Sequence, residues 1–489
     1  MSATSLSQPG VADMLPQWWP LLLGNVLEWY EFGVYGYLAT QMTGNFFDGS
    51  QIQTWIAFGI TFLLRPIGGL VLGHLADRWG RKVVTLWSLA GMLIATVGQG
   101  CLPTRLCCGN GAGHFGAAML FLLRALQGLS AGGEVGSIAT YFAETAPRGM
   151  LARGTATVMI CAILAFLLAS GVVELVLLAL GPDRMMLWGW RLPFFLALPP
   201  GLVSLWGRSR LAESNDFLAV AEQKAQHTSP PEHAQRPAPA EATASGDDAA
   251  DCTGIQSQCK RQSVCVFLKD HTLSVAVGFG CSCAGGCAFY LGIWAAHRAV
   301  HMQGGLTESQ GLLVSMLTMA VIASTIAVWS YLCDKYGGSD PFLGVVLGGA
   351  CLAIACGPVF AALDAWPGSM PVAVVCLSVC YGLATGLAVG PLYLLAVELF
   401  PTEIRVLGFG LSFNLAFSYV GGTASLAAQA LEGLSPLAPG FYVAGVGGLS
   451  AAVAVVARCL RAKGTLPSYL VTAKAPVDAT QDEDLEARV

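Results

Sequence analysis

Six ionisable side chains lie inside long apolar stretches of the sequence, where they could bind a charged group or carry a proton. An ionised side chain at the centre of a membrane helix costs about 2.5–3.5 kcal/mol, so such residues face a bundle interior or a wet cavity. The pattern therefore indicates a polar site at membrane depth. These residues are Glu28, Glu31, Arg65, Arg124, Glu134 and Glu174.

Two of the acidic residues share one face of the first apolar stretch. Glu28, Glu31 and Tyr35 are spaced at i, i+3 and i+7, so a helix places them on the same side. That face must point into the bundle, because a carboxylate pair exposed to lipid would be costly. A carboxyl group in such a site can take up a proton on one side of the membrane and release it on the other. We expect Glu31 to couple transport to protons, with Glu28 as its partner and Glu134 as a further proton-coupling residue.

Two arginines are candidates for binding a carboxylate. Arg124, Gln127 and Glu134 lie on one side of the fourth predicted helix. Arg124 and Glu134 are about 15 Å apart along the axis, so each needs a partner on another helix or a ligand. A guanidinium offers a planar fork to a carboxylate. We predict substrate contacts by Arg65, Arg124, Gln127 and Tyr35; the alternative for both arginines is a structural ion pair with the first helix.

A further cluster lies at the outer end of the seventh apolar stretch. Trp294 and Arg298 lie four residues apart, one helical turn, with His297 between them. They are predicted to contact the substrate at an outer gate that selects anions. The alternative is an interfacial aromatic residue beside a cation that reaches toward water.

The composition is that of a membrane protein. Of 489 residues, 55% are hydrophobic and 11% are charged, whereas soluble domains have about 25% charged residues. The formal net charge of -5 gives no indication of a nucleic-acid partner. Phosphate-binding loops, zinc-protease motifs and a persuasive nucleophile elbow are missing from the sequence, so we expect no enzyme, no cofactor and no metal.

Twelve apolar stretches are each long enough to cross a bilayer as a helix, which takes about 20 residues. They predict an all-α membrane fold with twelve transmembrane helices. The stretches are residues 18–42, 52–76, 83–102, 115–143, 152–180, 187–207, 271–297, 309–333, 341–362, 370–397, 404–431 and 438–460.

The chain divides into two halves of six helices. Residues 208–268 contain a long stretch rich in Ala, Pro, Gln, Asp and His and are predicted to be a disordered cytoplasmic linker. The linker separates six-helix bundles at residues 18–207 and 269–462, and residues 1–17 and 463–489 are predicted tails. Placing both tails in the cytoplasm puts nineteen of the 25 Lys and Arg residues on the inner side.

Several segments resemble those of a known family. The first listed below is similar to the loop signature of the major facilitator superfamily, and the second is a degraded repeat of it. The other four resemble the metabolite:proton symporter family, which includes transporters of proline/betaine, α-ketoglutarate, citrate and shikimate. The segments are Gly73–Lys82, Ser330–Ser339, Gly24–Gly36, Arg124–Glu134, Glu398–Gly408 and Phe413–Gly422.

The resemblance implies a major facilitator fold, in which two six-helix bundles rock around a central cavity. It also implies proton-coupled uptake of a small organic acid or zwitterion. Charged residues at the inner turns are then expected to hold the cytoplasmic side shut; the alternative is simple anchoring by positive charge. The expected gating residues are Asp77, Arg78, Arg81, Lys82, Glu144, Arg153 and Asp334.

Departures from the family pattern leave the substrate open. Glu31 stands where Asp is usual, Trp294 is followed by Ala-Ala-His-Arg, and Ser425 replaces a usual proline. The arginines favour an organic acid as substrate. The alternatives are a proton-coupled symporter of a zwitterion, an uncoupled facilitator and a nutrient sensor that does not transport. The expected partners are a small-molecule substrate, protons and lipid, for a monomer in the plasma membrane.

Overall fold

The structure is a computed structural model that describes residues 11–79, 81–147, 149–209, 264–336, 340–401 and 404–471. These residues form twelve long helical units, which we number α1 to α12. A short helix, Ala39–Phe46, lies between α1 and α2. The first six are α1 Val11–Tyr37, α2 Gln51–Trp79, α3 Arg81–Gly100, α4 Arg105–Thr145, α5 Leu151–Leu187 and α6, which comprises Gly189–Arg191, Leu192–Phe195 and Leu198–Ser209.

The second half repeats this arrangement. Each of the twelve predicted stretches corresponds to one helical unit, although the first runs on into the short helix Ala39–Phe46, so the predicted all-α membrane fold is confirmed. Within the described ranges, α4, α5, α7, α8, α9, α10 and α12 are each long and apolar enough to cross a bilayer. The units are α7 Val264–His301, α8 Glu308–Tyr336, α9 Pro341–Ala365, α10 Met370–Glu398, α11 with segments Arg405–Phe409, Gly410–Asn414, Ala416–Gly421 and Ala424–Glu432, and α12 Ala438–Ala462.

The predicted linker is shorter at both ends than the sequence suggested. Helix α6 continues to Ser209 and α7 begins at Val264, so residues 208, 209 and 264–268 are helical. At the start of α7 the added residues 264–268 read Val-Cys-Val-Phe-Leu, an apolar sequence that favours a membrane helix over a polar linker. Residues 210–263, the bulk of the predicted linker, lie outside the described part of the chain.

The first part of the predicted C-terminal tail packs against the protein. Leu466 and Leu470 are buried. The carboxylate of Glu398, at the end of α10, accepts hydrogen bonds from the backbone N–H groups of Leu470 at 2.7 Å and Val471 at 2.9 Å. It also accepts one from the hydroxyl of Ser468. Residues up to 471 therefore belong to the folded C-terminal half, and residues 472–489 lie outside the described chain.

The two halves meet along several helix pairs. Helix α5 packs against α8 and α10, α2 packs against α11, α4 packs against α10 and α11, and α1 contacts α7. Two segments of α11, Gly410–Asn414 and Ala416–Gly421, have the wide turns of a π-helix, as does Val374–Tyr381 in α10. π-Helical turns are rare and are frequent at functional sites. Those of α11 lie where it contacts α2 and α7.

Close contact between α2 and α4 positions the two buried arginines. A Cβ atom at Gly68 would lie 2.1 Å from the carbonyl oxygen of Leu129, and one at Gly132 would lie 2.2 Å from that of Arg65. Only glycine permits such backbone contact, as in small-residue packing of membrane helices. The contact holds Arg65 on α2 and Arg124 on α4 so that both side chains contact α1, Arg65 at Glu28 and Arg124 at Tyr35.

Candidate functional site

Glu28 on α1 and Arg65 on α2 form an ion pair inside the N-terminal half. Both side chains are at least 95% buried. The guanidinium also lies 5.2 Å from the ring centroid of Trp29 and 5.3 Å from that of Phe32, a cation–π arrangement. The charge of Arg65 is therefore balanced by the protein, as the structural alternative from the sequence predicted.

Glu31 has a different environment, although it lies on the same buried face of α1. The Nε2 group of Gln127 donates a 3.3 Å hydrogen bond to Oε2 of Glu31 and lies 3.2 Å from the hydroxyl of Thr96. The other carboxyl oxygen, Oε1, is buried and makes no hydrogen bond. In contrast to Glu28, Glu31 forms no ion pair within the described residues, so a proton can bind there without breaking one.

Arg124 lies directly beside this carboxyl group and is fully buried. It donates hydrogen bonds from Nε to the carbonyl oxygen of Ala57 at 3.3 Å and from one terminal nitrogen to Oε1 of Gln127 at 2.9 Å. Its guanidinium lies 4.0 Å from the ring centroid of Tyr35. The second terminal nitrogen is buried without a partner. Gln127 therefore bridges Arg124 and Glu31, which brings four predicted site residues together.

Glu134 is paired with Arg208 of α6 and does not reach Arg124. This pair was not predicted from the sequence, because Arg208 was assigned to the linker. The longer α6 carries Arg208 into the bundle, where it is buried. Together with Glu31 and Arg124, the two ion pairs Glu28–Arg65 and Glu134–Arg208 give three glutamates and three arginines among the described residues, and their formal charges cancel.

Aromatic rings fill the contact between the halves next to Arg124. The ring centroids of Phe62 on α2 and Tyr290 on α7 are 4.5 Å apart, and Phe58 lies 5.9 Å from Tyr290. Phe58 is also within 5.7 Å of the Arg124 guanidinium. The hydroxyl of Tyr290 is buried and makes no hydrogen bond. Tyr290 was not among the predicted site residues. The only signal in the sequence was an aromatic pair, Phe289 and Tyr290, within the predicted apolar stretch 271–297.

At the end predicted to face the cytoplasm, two polar contacts join the halves. Asp334 on α8 accepts hydrogen bonds from the start of α5, from the N–H groups of Ala152 at 2.9 Å and Arg153 at 3.0 Å and from Nε of Arg153 at 3.0 Å. Glu144 on α4 is 2.5 Å from Arg405 on α11. We call Asp334, Arg153, Glu144 and Arg405 the inner latch.

One pair of the inner latch was not predicted from the sequence. Glu144 was predicted to be a gating residue, and the structure pairs it with Arg405 of the opposite half. Arg405 lies in Glu398–Gly408, one of the segments that resemble the symporter family, and was given no gating role. The side chains of the remaining expected gating residues lie outside the described part of the structure; they are Asp77, Arg78, Arg81 and Lys82.

The outer ends of the halves are also in contact. These contacts join the short helix after α1, and α5, to α7 and α8. Together with the inner latch and the aromatic contact, they describe a conformation in which the halves touch at both ends and in the middle. The pairs are Thr40 with His301 at 2.9 Å, Gln41 with Glu308 at 3.3 Å, and Glu174 with Ser309.

The outer half of α7 is joined to α11 by one polar contact per turn. Of the predicted substrate residues here, Trp294 donates to Gln429, and Arg298 is held by Glu432 and also by Asp364 at 3.4 Å. Arg298 is therefore neutralised within the C-terminal half in this conformation. The three contacts are hydrogen bonds from Ser425 to the carbonyl of Tyr290 at 3.0 Å, from Trp294 to Gln429 at 3.0 Å, and from Arg298 to Glu432 at 2.7 Å.

Known proteins resemble the chain along most of its length. The sequence profile of the family described as "Sugar (and other) transporter" matches residues 20–460. The ectoine/proline transporter of Corynebacterium glutamicum is 28% identical over 440 residues, which cover 86% of this chain and 79% of that protein. The proline/betaine transporter of Escherichia coli is 28% identical over 428 residues, covering 86% and 79%.

Solved structures show the same fold. The proton:xylose symporter XylE of the major facilitator superfamily superposes with a TM-score of 0.66 at 16% sequence identity. The match covers 93% of this chain and 96% of that one. An inward-open structure of the xylose transporter from E. coli gives a TM-score of 0.61 at 17% identity, covering 95% and 100%. The chain therefore belongs to the sugar (and other) transporter family and has the major facilitator fold, as a multi-pass integral membrane transporter and not an enzyme.

Proposed function

We propose that the protein is a symporter that carries a small zwitterion, of the amino-acid or betaine type, together with a proton. The observation that carries this proposal is the chain of contacts from Glu31 through Gln127 to Arg124, beside the aromatic contact between the halves. The amide of Gln127 contacts both the carboxyl group of Glu31, which we assign to the proton, and the guanidinium of Arg124, which we assign to the substrate carboxylate.

The surroundings of Arg124 suit both ends of a zwitterion. The terminal nitrogen of Arg124 that has no partner can donate to a substrate carboxylate. The rings of Phe58, Phe62 and Tyr290 can attract an ammonium group through cation–π contacts, each contributing about 0.5–2 kcal/mol. In the N-terminal half, the formal charges of the two ion pairs, Glu31 and Arg124 sum to zero, so no net positive charge among them favours the binding of an anionic substrate. The names of the relatives, which mention proline, betaine and ectoine, support this choice.

Gln127 offers a physical route for coupling. It accepts from Arg124 and donates to Glu31, so a substrate carboxylate that draws Arg124 away also disturbs the hydrogen bond to Glu31. Protonation of Glu31 likewise changes the hydrogen bond that the Gln127 amide donates to its carboxyl group. Substrate and proton would then each bind better when the other is present, as linkage requires.

An organic acid, which the sequence favoured, is the second candidate. A proton on Glu31 would give the buried cluster a net positive charge, and an anion bound at Arg124 would neutralise it. Symport of a zwitterion with one proton moves one positive charge inward. Symport of an anion with one proton moves no net positive charge. The two candidates therefore respond differently to the membrane potential.

The test is uptake into proteoliposomes with a potassium diffusion potential of about 100 mV, negative inside, and equal pH on both sides. That potential contributes about 2.3 kcal/mol per charge, which corresponds to about 50-fold accumulation. We expect proline or glycine betaine to accumulate, whereas citrate and α-ketoglutarate should not. Carboxylate uptake driven only by a pH gradient would support the second candidate. Equilibration without accumulation would identify a facilitator, and binding without uptake a sensor; all three results would overturn the proposal.

A further inference from the structure

A cavity of about 40 Å³ lies between the outer ends of the two halves. Tyr37 and Gln41 line it from the N-terminal half, and His297 and Glu308 line it from the C-terminal half. The rest of the wall is mostly apolar and comes from α5, α7 and α8. None of the buried glutamates and arginines of the N-terminal half lines it, so this cavity is separate from the site around Arg124.

The polar groups of this cavity are incompletely satisfied. Glu308 is the one acidic residue of the lining, and the amide of Gln41 donates a long, 3.3 Å hydrogen bond to it. His297 is partly buried in the wall, and both of its ring nitrogens are buried and make no hydrogen bond. Buried imidazoles normally have a partner for each nitrogen. The cavity therefore contains the Glu308 carboxylate, which accepts one long hydrogen bond, and the His297 imidazole, whose nitrogens have no hydrogen-bond partner.

We propose that this cavity is an outer subsite, which binds the ammonium end of the zwitterion before the substrate reaches Arg124. In this subsite Glu308 binds the ammonium group in place of the Gln41 amide. His297 can donate a hydrogen bond to the carboxylate of the same molecule. The identity of the ligand rests on the proposed function, whereas the presence of a cation site at Glu308 does not.

Movement of the halves would create this subsite. Gln41 follows α1, whereas Glu308 begins α8, so separating the outer ends removes the amide from the carboxylate. A partly buried carboxylate that loses its donor is costly unless another donor replaces it. An ammonium group carries the matching charge, and the ring of Tyr37 in the same wall suits a quaternary cation. At about 40 Å³ the cavity now holds only a few water molecules, so the substrate can enter only after the separation.

The experiment uses tetramethylammonium, a cation without a carboxylate that Arg124 could bind. Its affinity for the purified full-length protein is measured by calorimetry, together with its inhibition of uptake from the outside. We expect Glu308→Gln to weaken tetramethylammonium binding at least tenfold and to raise KM for the zwitterion with little change in kcat. Glu308→Asp, which keeps the charge, should restore part of the affinity.

Glu174→Gln is the matched control, because Glu174 is a carboxylate at the same entrance that does not line the cavity. It should change tetramethylammonium affinity less than twofold. Equal losses in both variants would show only a general effect of negative charge and would overturn the subsite, as would unchanged binding in a folded Glu308→Gln protein. Tetramethylammonium binding that depends on Glu308, in a protein that moves only carboxylates, would retain the cation site and reject the proposed substrate.

Discussion

Asp334 on α8 accepts two hydrogen bonds from Arg153 at the start of α5, one from the backbone N–H and one from Nε, each 3.0 Å long. A third comes from the N–H group of Ala152. The unpaired N–H groups at a helix N-terminus favour a negative charge. Two of the three bonds therefore do not depend on the side chain at position 153, and the carboxylate is the essential partner of the inner latch.

Replacing Asp334 should open the inner side more than replacing Arg153. A hydrogen bond to a charged group contributes about 1.5–3 kcal/mol, so Asp334→Asn should increase the inward-open population at least tenfold. Arg153→Gln should have a smaller effect because the backbone contacts remain. The readout is the labelling rate of Cys333, which is buried next to Asp334, in a background whose other cysteines are replaced.

Arg458→Gln is the control for this comparison. Arg458 pairs with Asp340 at 3.1 Å at the same end, but both residues belong to the C-terminal half. Its replacement should leave Cys333 labelling unchanged. If Arg458→Gln accelerated labelling as much as Asp334→Asn, general loosening of the inner end would explain the result and the inner latch would not.

Glu31→Gln should abolish accumulation driven by a pH gradient while exchange of substrate across the membrane continues. The amide keeps a similar shape next to Gln127, but it cannot bind and release a proton. Counterflow of labelled substrate measures exchange, and net uptake under a pH gradient measures coupling. Glu31→Asp should retain coupling; a Glu31→Gln protein that still concentrates substrate would place the proton elsewhere.

Glu28→Gln should destabilise the protein, because it leaves the charge of Arg65 buried without its partner. Breaking one side of a buried ion pair costs about 3–5 kcal/mol. The double replacement Glu28→Gln with Arg65→Gln removes both charges and should recover part of the loss. Thermal unfolding in detergent compares the three variants. Strictly additive effects of the two single replacements would argue against a coupled pair.

Two truncations test the contribution to stability of the packed residues 464–471 separately from that of residues 472–489. A chain that ends at Lys463 lacks the three groups that donate to Glu398, which is fully buried. Each donor lost to a buried carboxylate costs about 1–3 kcal/mol, so its melting temperature should fall. A chain that ends at Val471 keeps all three donors and should melt like the full-length protein. Equal melting of both truncated chains would contradict the role of these contacts.

Local patterns predicted the helices and the buried face of α1, because hydrophobicity and helical spacing are properties of neighbouring residues. Glu28, Glu31 and Tyr35 are accordingly all buried. The partners of charged residues were harder to predict. Glu134 and Arg208 are 74 positions apart, and Glu144 and Arg405 are 261 apart. Their pairing depends on which helices become neighbours, and no local pattern contains that information.

The packing of the C-terminal tail was likewise not predictable from local sequence patterns. Its polar composition predicted a free segment after Lys463, yet Leu466 and Leu470 are buried and the backbone binds Glu398. Two apolar residues in a short irregular segment give no recognisable period. The segment is ordered by a carboxylate on another helix, which composition alone does not reveal.

In the proposed symport cycle, the equal numbers of glutamates and arginines that the structure describes inside the N-terminal half give the two crossing steps different charges. With Glu31 deprotonated, these three carboxylates and three guanidiniums sum to zero, so in this proposal the empty carrier returns outward without work against the field. With Glu31 protonated and a zwitterion bound, the inward step moves one positive charge. Voltage should accelerate the loaded step only, and turnover should lose its voltage dependence when the return of the empty carrier becomes rate-limiting.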